Sequence, residues 1–310
     1  MLKIAITTGC LPKTLEVDEQ YRMYAEAGFD GVDASINRLF PFASVRDLLP
    51  PEAFSDEKTL IEGLTPYKKA AEKYGLSNFM AHAPFPVWTS DEAYDEKLWE
   101  ILSWYVHGCD AIGCRTLVVH PVTTRLVCPL TREEEIEKSL QLYRKLAPAA
   151  KQYGVTVCTE NMFRNVKSVK HTKVYESMCA DIPEACAMLD RLNGEAGEER
   201  FGFCLDTGHL LLLGKDVARA ISQLGSRLKA LHIHDNDGNT DQHLLPYMGI
   251  QNWEHFLDGV AASDYQGVLN FETDGLDAHV DPALYPATLR YLAEIGRVFA
   301  SRIEEKRAAR

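Results

Sequence analysis

Acidic and imidazole side chains recur along this chain at the points where short apolar runs end. Six such segments are Ala81-His82-Ala83-Pro84, Val118-Val119-His120-Pro121, Thr159-Glu160-Asn161, Leu205-Asp206-Thr207-Gly208-His209, His232-Ile233-His234-Asp235 and Phe271-Glu272-Thr273-Asp274. Carboxylates and imidazoles are the side chains that most often serve as general acids, general bases and metal ligands. Their recurrence predicts one shared site, provided that the fold brings the ends of these runs together.

The apolar runs have the composition of β-strands and alternate with longer amphipathic stretches. Eight strands are predicted, at Lys3–Thr8, Gly31–Ser35, Asn78–Ala83, Thr116–Pro121, Val155–Asn161, Phe201–Thr207, Leu228–Asp235 and Gly267–Thr273. Strands that alternate with helices pair in parallel through right-handed crossovers. Eight such units in 310 residues predict an α/β fold of a single (β/α)₈ TIM barrel. No G-x-G-x-x-G motif follows the first strand, which disfavours a dinucleotide-binding fold.

The amphipathic stretches predict eight helices around the barrel. They are Glu19–Ala27, Thr59–Tyr74, Asp91–Ile112, Thr131–Tyr153, Pro183–Leu192, Asp216–Leu224, Trp253–Ala262 and Ala283–Glu305. Thr131 and Glu134 have the spacing of a capping box. We expect one domain over residues 1–310, with a C-terminal helix at about 283–305. The long aperiodic segment at about 37–55 is a lid candidate, because long loops in compact domains are usually functional.

Composition and charge exclude several classes of protein. The chain has 33 Lys and Arg residues against 45 Asp and Glu residues, a formal net charge of −12. Affinity for nucleic acid and for anionic membrane surfaces comes mainly from basic residues, so we expect neither partner. No apolar run approaches the roughly 20 residues that span a bilayer. The segment MLKIAITTGC has the composition of a first strand, not of a signal peptide.

The eight cysteines have no C-x-x-C spacing, and several lie inside apolar runs. Buried, reduced thiols are typical of proteins from a reducing compartment. We therefore expect a cytoplasmic protein.

Four of the strand-end residues form the strongest candidate centre, namely Glu160, Asp206, His234 and Glu272. In a barrel they come from successive strands and project into one mouth. Three carboxylates packed with an imidazole are costly to bury without a counter-charge, and these motifs contain no Lys or Arg. A divalent cation is the simplest partner. This ligand set suits Mn²⁺, Mg²⁺ or Co²⁺ better than a closed Zn²⁺ site, and we expect one ion, Mn²⁺ first.

Taken together, the motifs resemble those of the xylose isomerase-like barrels, which include sugar phosphate isomerases and epimerases and AP endonuclease family 2. The segments that carry the resemblance are His82-Ala-Pro-Phe, Val119-His120-Pro121, Thr159-Glu160-Asn161-Met162, Leu205-Asp206-Thr207-Gly208-His209, His232-Ile-His234-Asp-Asn-Asp237-Gly238, Asp241-Gln-His243-Leu-Leu-Pro246 and Glu272. The resemblance covers almost the whole chain.

Similarity to the ketose 3-epimerases of this group implies that one metal ion is held by the four residues above. It implies that Glu160 and Glu272 are a general acid/base pair that moves a proton through a metal-stabilised enediolate. His209 would then reach a substrate oxygen. Two residues depart from the epimerase pattern, because Val166 and Thr240 stand where a glutamate and an arginine are usual.

Those departures leave the sugar open, and a nearby arginine, Arg164, is a candidate for binding a carboxylate or phosphate. Trp88, with Phe85 and Pro86, is a candidate apolar wall for a sugar face or an aglycone. Substrate contacts are also expected from His82 and His243. The interpretation is a metal-dependent carbohydrate isomerase or epimerase that acts on a small-molecule sugar or sugar derivative, and a homo-oligomer is compatible with it.

Two further enzyme classes fit the same residues. A metal-dependent lyase or dehydratase, acting on a keto-sugar or C-glycoside, would use His120 or His82 as base or acid, although both could simply orient hydroxyls. The resemblance to endonuclease-IV-like enzymes implies a three-zinc phosphoesterase, with further ligands at His82, His120, His209 and Asp241-Gln242-His243. The remaining alternative is a sugar-sensing protein or partner subunit built on a barrel without catalytic activity. The sequence does not name the sugar or decide whether it is phosphorylated.

Overall fold

The computed structural model describes residues 1–36, 56–124, 129–167, 172–274, 276 and 280–310. The lid candidate at about 37–55 therefore lies outside the described residues. The strands are β1 (Ile4–Thr7), β2 (Gly31–Ala34), β3 (Ser77–His82), β4 (Thr116–Val118), β5 (Thr156–Glu160), β6 (Phe163–Lys167), β7 (Thr172–Glu176), β8 (Phe201–Asp206), β9 (Leu228–His232) and β10 (Leu269–Phe271). Eight of them form one sheet in the order β10-β1-β2-β3-β4-β5-β8-β9. All of its ladders are parallel, and the predicted TIM barrel is confirmed.

The barrel closes between β9 and β10. Ile233 forms a parallel bridge with Phe271 just beyond the end of β9. The Ile233 amide donates to the Asn270 carbonyl at 2.9 Å, and the Glu272 amide donates to the Ile233 carbonyl at 3.1 Å. This seam fixes the polar end of β10 beside the polar end of β9.

The helices surround the barrel, and their bounds are α1 (Val17–Ala27), α2 (Glu57–Gly63), α3 (Thr65–Tyr74), α4 (Glu92–Ala111), α5 (Arg132–Tyr153), α6 (Ile182–Ala196), α7 (Thr207–Leu212), α8 (Val217–Leu224), α9 (Trp253–Ala262) and α10 (Tyr285–Ala308). The capping box at Thr131 and Glu134 is present at the start of α5. The single helix predicted over Thr59–Tyr74 is instead two helices that meet at Leu64. The second has a proline in its first turn, where the missing N–H is tolerated.

Two elements are additional to the prediction. The first is an antiparallel hairpin of β6 and β7, which follows β5. The second is the short helix α7, which begins directly after β8. Both follow strands that end in candidate site residues, so they shape the mouth of the barrel.

The hydrophobic core has two parts. The larger one lies between the barrel and its helices. The smaller one fills the inside of the barrel and consists of Ala5, Met80, Val118, Cys158, Cys204, Ala230 and Val268. Among the described helices, none combines the length and apolar character that crossing a bilayer requires. That residues 1–310 make up a single domain stays a prediction.

Candidate metal centre

A cavity of about 410 Å³ opens at the carboxyl end of the barrel strands, where TIM barrels place their chemistry. The predicted site residues that line it are His82, Trp88, His120, Glu160, His209, His243 and Glu272. Asp206 and His234 are fully buried beside the residues that line the cavity. Asp206 accepts a hydrogen bond from the His209 amide, and the His234 ring stacks on the His243 ring. The structure therefore gathers these nine residues at one mouth.

Two imidazoles face one carboxylate on the side of the mouth formed by β3, β4 and β5. His82 Nε2 and His120 Nε2 are hydrogen bonded to each other at 3.1 Å. The Glu160 Oε2 atom lies 3.3 Å from His120 Nε2 and 3.8 Å from His82 Nε2. The three ligand atoms are close enough to hold one metal ion.

A second group forms at the ends of β8 and β9. Asp206 caps α7 by accepting from the His209 amide, which fixes its carboxylate at the mouth. Both of its oxygens lie 3.1 Å from His234 Nε2. Gly208 makes this approach feasible, since a Cβ atom there would overlap the His234 ring. Asp206, His209 and His234 together could also hold a metal ion.

A third group comes from the loop between β9 and α9. Asp241 Oδ2 lies 3.1 Å from His243 Nε2 and 3.5 Å from His209 Nε2. The His243 ring stacks on the His234 ring with centroids 4.0 Å apart. His234, Asp241 and His243 again bring their ligand atoms together. Asp241 is thus a site residue on geometry, although the sequence indicated it only through the endonuclease resemblance.

Three of these imidazoles share one orientation. The Nδ1 atoms of His82, His209 and His243 donate to the backbone carbonyls of Ala83, Asn161 and Glu272, at 2.7, 2.8 and 2.9 Å. A neutral imidazole that donates from Nδ1 carries its lone pair on Nε2. In each case Nε2 faces the other candidate ligands. Such a bond from the far nitrogen is typical of metal-binding histidines, because it fixes the ring and its tautomer.

The four ligands predicted from sequence do not form one compact group. Glu160, Asp206 and Glu272 have ligand atoms within 4.8 Å of one another, but the imidazole that completes this group is His232. His232 Nδ1 lies 3.4 Å from Glu160 Oε1 and 3.3 Å from Glu272 Oε2. His234 is instead closest to Asp206. His232 is absent from the ligand set predicted from sequence, although it ends β9 only two residues before His234.

The two glutamates of the predicted acid/base pair have opposite pKa shifts. Burial acts to raise the pKa of Glu160, but its contacts with His232 and His120 outweigh burial and hold it well below 4.5. Burial raises the pKa of Glu272 well above 4.5, since the neighbouring Glu160 and Asp206 add repulsion. In the metal-free site the pKa of Glu160 is therefore lowered and that of Glu272 is raised. Paired groups with divergent pKa values are typical of acid/base sites.

The imidazoles respond to the same crowding of charge. Burial acts to lower the pKa of His209, but Asp206 and Asp241 outweigh it and raise the pKa to about 10. His243 has a raised pKa because Asp241 and Glu272 also outweigh its burial. His120 differs, because burial dominates and lowers its pKa. Without an ion the site therefore neutralises its carboxylates with protonated imidazoles.

Several buried polar atoms at this site lack a hydrogen-bond partner among the described residues, namely Glu160 Oε2, Asp241 Oδ1 and both ring nitrogens of His232. Leaving such atoms unpaired is costly. A divalent cation would use carboxylate oxygens of this kind, and the neighbouring Nε2 lone pairs would complete its coordination. The residues present therefore fit a bound divalent metal ion.

Hydrogen bonds of one asparagine and one aspartate side chain fix the strands and the loop that carry the site residues. The Asn161 amide group bridges to β8, since it donates to the Asp206 carbonyl at 2.9 Å and accepts from the Asp206 amide at 2.8 Å. Asp235 accepts from the Gln251 amide and from Trp253 Nε1, at 3.0 and 3.1 Å. These bonds fix Glu160 relative to Asp206 and anchor the loop that carries Asp241.

Aromatic side chains border the cavity. Phe85 is 47% exposed and stacks on His120 with centroids 4.7 Å apart. Phe163, the first residue of β6, meets His209 edge to face at 4.9 Å. Trp88 also lines the cavity, but it is only 4% exposed and its ring has Lys138 above it at 5.7 Å. The exposed apolar surface that a ligand would meet is therefore mainly that of Phe85.

The structure does not bring Arg164 to this cavity. Its guanidinium group lies 5.8 Å from the Tyr175 ring on the neighbouring strand of the hairpin. Arg164 is exposed and lines a separate surface pocket together with Arg132 and Glu176. A β-strand alternates its side chains, and the register of β6 directs Arg164 away from the mouth while Phe163 faces it.

Comparison with known proteins agrees with this architecture. The chain is similar to a D-allulose 3-epimerase from Methylomonas sp., with a TM-score of 0.70 and 20% identity over 97% of this chain and 98% of that one. It is also similar to the 3-keto-D-glucoside 4-epimerase YcjR from E. coli, with a TM-score of 0.68 and 18% identity over 95% and 100% of the two chains. At this level of identity the likeness shows the fold.

Among curated sequences, an uncharacterized protein, y4fM, from Sinorhizobium fredii is 40% identical over 110 residues. That match covers 36% of this chain and 34% of the relative. An uncharacterized protein, MJ1311, from Methanocaldococcus jannaschii is 22% identical over 64% of each chain. The chain thus matches less than two thirds of the length of these relatives. The model of the xylose isomerase-like TIM barrel family matches residues 21–295, so this chain belongs to that family.

Proposed function

We propose that the chain is a divalent-metal-dependent carbohydrate epimerase or isomerase. The observation that carries the proposal is the pairing of Glu160 and Glu272 at one barrel mouth, with the pKa of the first lowered and that of the second raised. Ligand atoms of both lie within 4.8 Å of Asp206 and His232. Similarity to sugar epimerase structures adds support at the level of the fold.

In this proposal the glutamates move the proton. A bound divalent cation would polarise the substrate carbonyl and an adjacent hydroxyl, which makes the carbon between them more acidic. Glu160, whose pKa is lowered, would remove the proton from that carbon as the general base. Glu272, whose pKa is raised, would return a proton to the opposite face as the general acid. One carboxyl group gains a proton as the other loses one, so the pair is reset by solvent exchange.

The imidazoles and aromatic residues would orient the sugar. His82, His120, His209 and His243 surround the space above Glu160 and can hydrogen bond to hydroxyl oxygens. Phe85 offers an apolar face of the kind that packs against the C–H face of a sugar ring. We propose Mn²⁺ as the resident ion, because the group around Glu160 and Glu272 is rich in carboxylates.

Solvent-deuterium exchange tests the proposal directly. We expect the purified protein with Mn²⁺ to incorporate deuterium at one carbon of a ketose, a ketose phosphate or a 3-keto glycoside, as seen by mass spectrometry. Glu160→Gln and Glu272→Gln should each lower exchange by about 10²- to 10⁴-fold, the usual contribution of a general acid or base. Glu72→Gln, at an exposed position on α3, is the matched control. Full exchange in both site variants would refute the assignment.

A three-metal phosphoesterase is the second candidate, and a specific observation favours it. Three groups, two of which share His234, could each hold an ion, namely His82 with His120 and Glu160, Asp206 with His209 and His234, and His234 with Asp241 and His243. About three zinc ions per chain by elemental analysis, with hydrolysis of bis(p-nitrophenyl) phosphate, would support this candidate. About one ion per chain, without phosphodiester hydrolysis, would support the epimerase.

A lyase or dehydratase would use the same proton abstraction and then expel a group. The exchange experiment separates the two outcomes, because elimination changes the mass of the substrate skeleton whereas epimerisation preserves it.

We further propose a cytoplasmic location. Six of the seven cysteines that the structure describes are buried and none is in a disulfide. Reduced thiols of this kind are typical of a reducing compartment. A homo-oligomer stays a prediction that light scattering can check.

A further inference from the structure

Asp274 is a carboxylate of the cavity that the proposed mechanism does not use. It lies two residues after Glu272 and lines the same cavity. Its Oδ1 atom is buried and has no hydrogen-bond partner in the described part of the chain. No Lys, Arg or His nitrogen among the described residues lies within ion-pair distance of it, unlike Glu160, Asp206, Asp241 and Glu272. Among the residues that the structure describes, Asp274 is therefore a carboxylate without an ion-pair partner.

The position of this carboxylate is set by Gly9, which lies in the turn just after β1. A Cβ atom on Gly9 would overlap both oxygens of Asp274. The absence of a side chain at Gly9 therefore lets the Asp274 carboxylate pack against the backbone at the end of β1. The φ angle of Gly9 is not positive, so the requirement for glycine here is one of space.

The metal-binding groups do not include Asp274. The members of these groups lie at or just beyond the ends of β3, β4, β5, β8, β9 and β10, in α7, or in the loop that carries Asp241 and His243. Asp274 faces Gly9 instead, on the side of the mouth where β10 adjoins β1 and β2, and Ser35 of that side also lines the cavity. A substrate whose reacting carbon lies at Glu160 and Glu272 would extend toward this side.

The chemistry of that extension follows from the charge. A carboxylate oxygen that is buried without a partner among the described residues requires a hydrogen-bond donor, and hydrogen bonds to carboxylates are among the stronger ones in proteins. A phosphate or carboxylate on the substrate would instead be repelled. The described residues that line the cavity include neither Lys nor Arg, the side chains that most often bind phosphate.

We propose that Asp274 is a specificity-determining residue that accepts a hydrogen bond from a hydroxyl group at the end of the substrate distant from the reacting carbon. The substrate is accordingly an unphosphorylated sugar or sugar derivative. This inference rests on the proposed function for the identity of the reacting end. The binding preference itself is independent of turnover.

Binding of a matched pair of sugars tests it. The probes are D-fructose and D-fructose 6-phosphate, whose dissociation constants are measured by ligand-observed NMR on the metal-loaded protein. We expect the wild type to bind the free ketose at least tenfold more tightly than the phosphate. Asp274→Asn keeps the shape of the side chain but removes the charge, and it should reduce this preference about tenfold, the size of one charge-assisted bond.

Two further variants make the result decisive. Gly9→Ala displaces the Asp274 carboxylate without changing its charge and should weaken binding of the free ketose. Asp264→Asn, at an exposed position, is the control and should leave both constants unchanged. Circular dichroism establishes that each variant is folded, so Gly9→Ala serves as the test if Asp274→Asn does not fold.

The outcomes separate the subsite from the reaction. A wild type that prefers the phosphate or binds neither probe overturns the inference, as does an unchanged preference in folded Asp274→Asn protein. If the preference behaves as expected but no substrate exchanges deuterium, the proposed function fails and the subsite stands. If exchange occurs and the preference does not depend on Asp274, the subsite fails and the function stands.

Discussion

A polar layer lies beneath the mouth of this barrel, and replacing it should cost a large part of the stability of the fold. His232 is wholly buried and Asp33 is 1% exposed, with His232 Nε2 3.3 Å from Asp33 Oδ2. Asn270 Nδ2 donates to the same oxygen at 3.1 Å. The other ring nitrogen of His232 faces Glu160 and Glu272. The layer therefore joins β2 to β9 and β10 across the barrel interior.

The expected magnitude follows from the distance. Two unit charges 3.3 Å apart interact by 332/(20 × 3.3), or about 5 kcal/mol, at the effective dielectric constant of about 20 that suits protein sites. Desolvation offsets part of this attraction, but removing one partner leaves the other charge buried alone. Breaking such a pair costs about 3–5 kcal/mol. That is a third or more of the total stability of many proteins.

The pH at which unfolding is measured matters, because the stabilisation by the pair of His232 and Asp33 depends on the protonation of His232. Burial acts to lower the pKa of His232, but its acidic neighbours, among them Glu272 and Glu160, outweigh it and raise the pKa well above 6.5. A raised pKa in the folded state means that the pair stabilises the protein fully below pH 6.5. This stabilisation is lost as the pH rises through the raised value. Measurements at pH 6 therefore report the whole effect.

The assay is urea unfolding of the chelator-treated protein at pH 6, with Asp33→Asn, His232→Gln and the double variant. Each single substitution should lower the free energy of unfolding by about 3–5 kcal/mol, and the double variant should lose little more than either one. Asp18→Asn, which removes the exposed pair with Lys73, is the control and should change stability little. The reasoning would be refuted if each single substitution lowered the free energy of unfolding by less than about 1 kcal/mol and the loss in the double variant were the sum of the two.

Two more predictions concern the imidazoles of the mouth. Gly208→Ala should lower metal content per chain at least tenfold by elemental analysis, because its Cβ would overlap the His234 ring, whereas Gly194→Ala, with open space around it, should leave metal content unchanged. His209 should stay protonated in metal-free protein until the pH approaches its raised pKa of about 10, so the stability that it contributes persists from below pH 6.5 up to that value. An NMR titration midpoint for His209 near pH 6.5 would contradict this.

The barrel and the clustering of its site residues could be predicted from sequence. Both follow from the periodicity of the apolar residues and from the alternation of strands and helices along the chain. Short apolar runs separated by helices leave parallel pairing as the solution, and parallel strands in a barrel end at the same mouth. A polar residue that ends such a run is therefore placed without knowledge of any contact. Glu160, Asp206 and Glu272 illustrate this, since each stands at or just beyond the end of its strand.

The choice between His232 and His234 could not be predicted in the same way. His232 is the last residue of β9 and His234 lies two residues beyond it, so the residue pattern alone does not distinguish their positions. The register pairs His232 with Asp206, and the Thr207 hydroxyl is hydrogen bonded to the backbone of His234. That register places His232 deeper, beside Glu160 and Glu272. Register depends on twist and on strand bulges, such as the shift between Phe203 and Cys204, which a residue pattern does not encode.

The hairpin and α7 were missed for local reasons. The segment Phe163–Glu176 has a mixed, largely polar pattern, because neither face of a two-stranded ribbon is fully buried. Helix α7 spans six residues, too few for a helical period to stand out. Asp206 caps α7 and is also a candidate metal ligand. An aspartate at the end of a strand is compatible with either role, so its presence alone does not predict the helix.

The two proposed chemistries of this mouth differ in how they use Glu160. Its Oε1 atom lies 3.4 Å from His232 Nδ1 and 3.5 Å from His209 Nδ1, whereas its Oε2 atom faces His120 and His82. If an ion were held on each side, both oxygens would be ligands and neither could remove a proton from a substrate carbon. If the side of His82 and His120 holds substrate hydroxyls instead, Oε2 is free to act as the base. Metal count and reaction class are therefore linked through this one carboxylate.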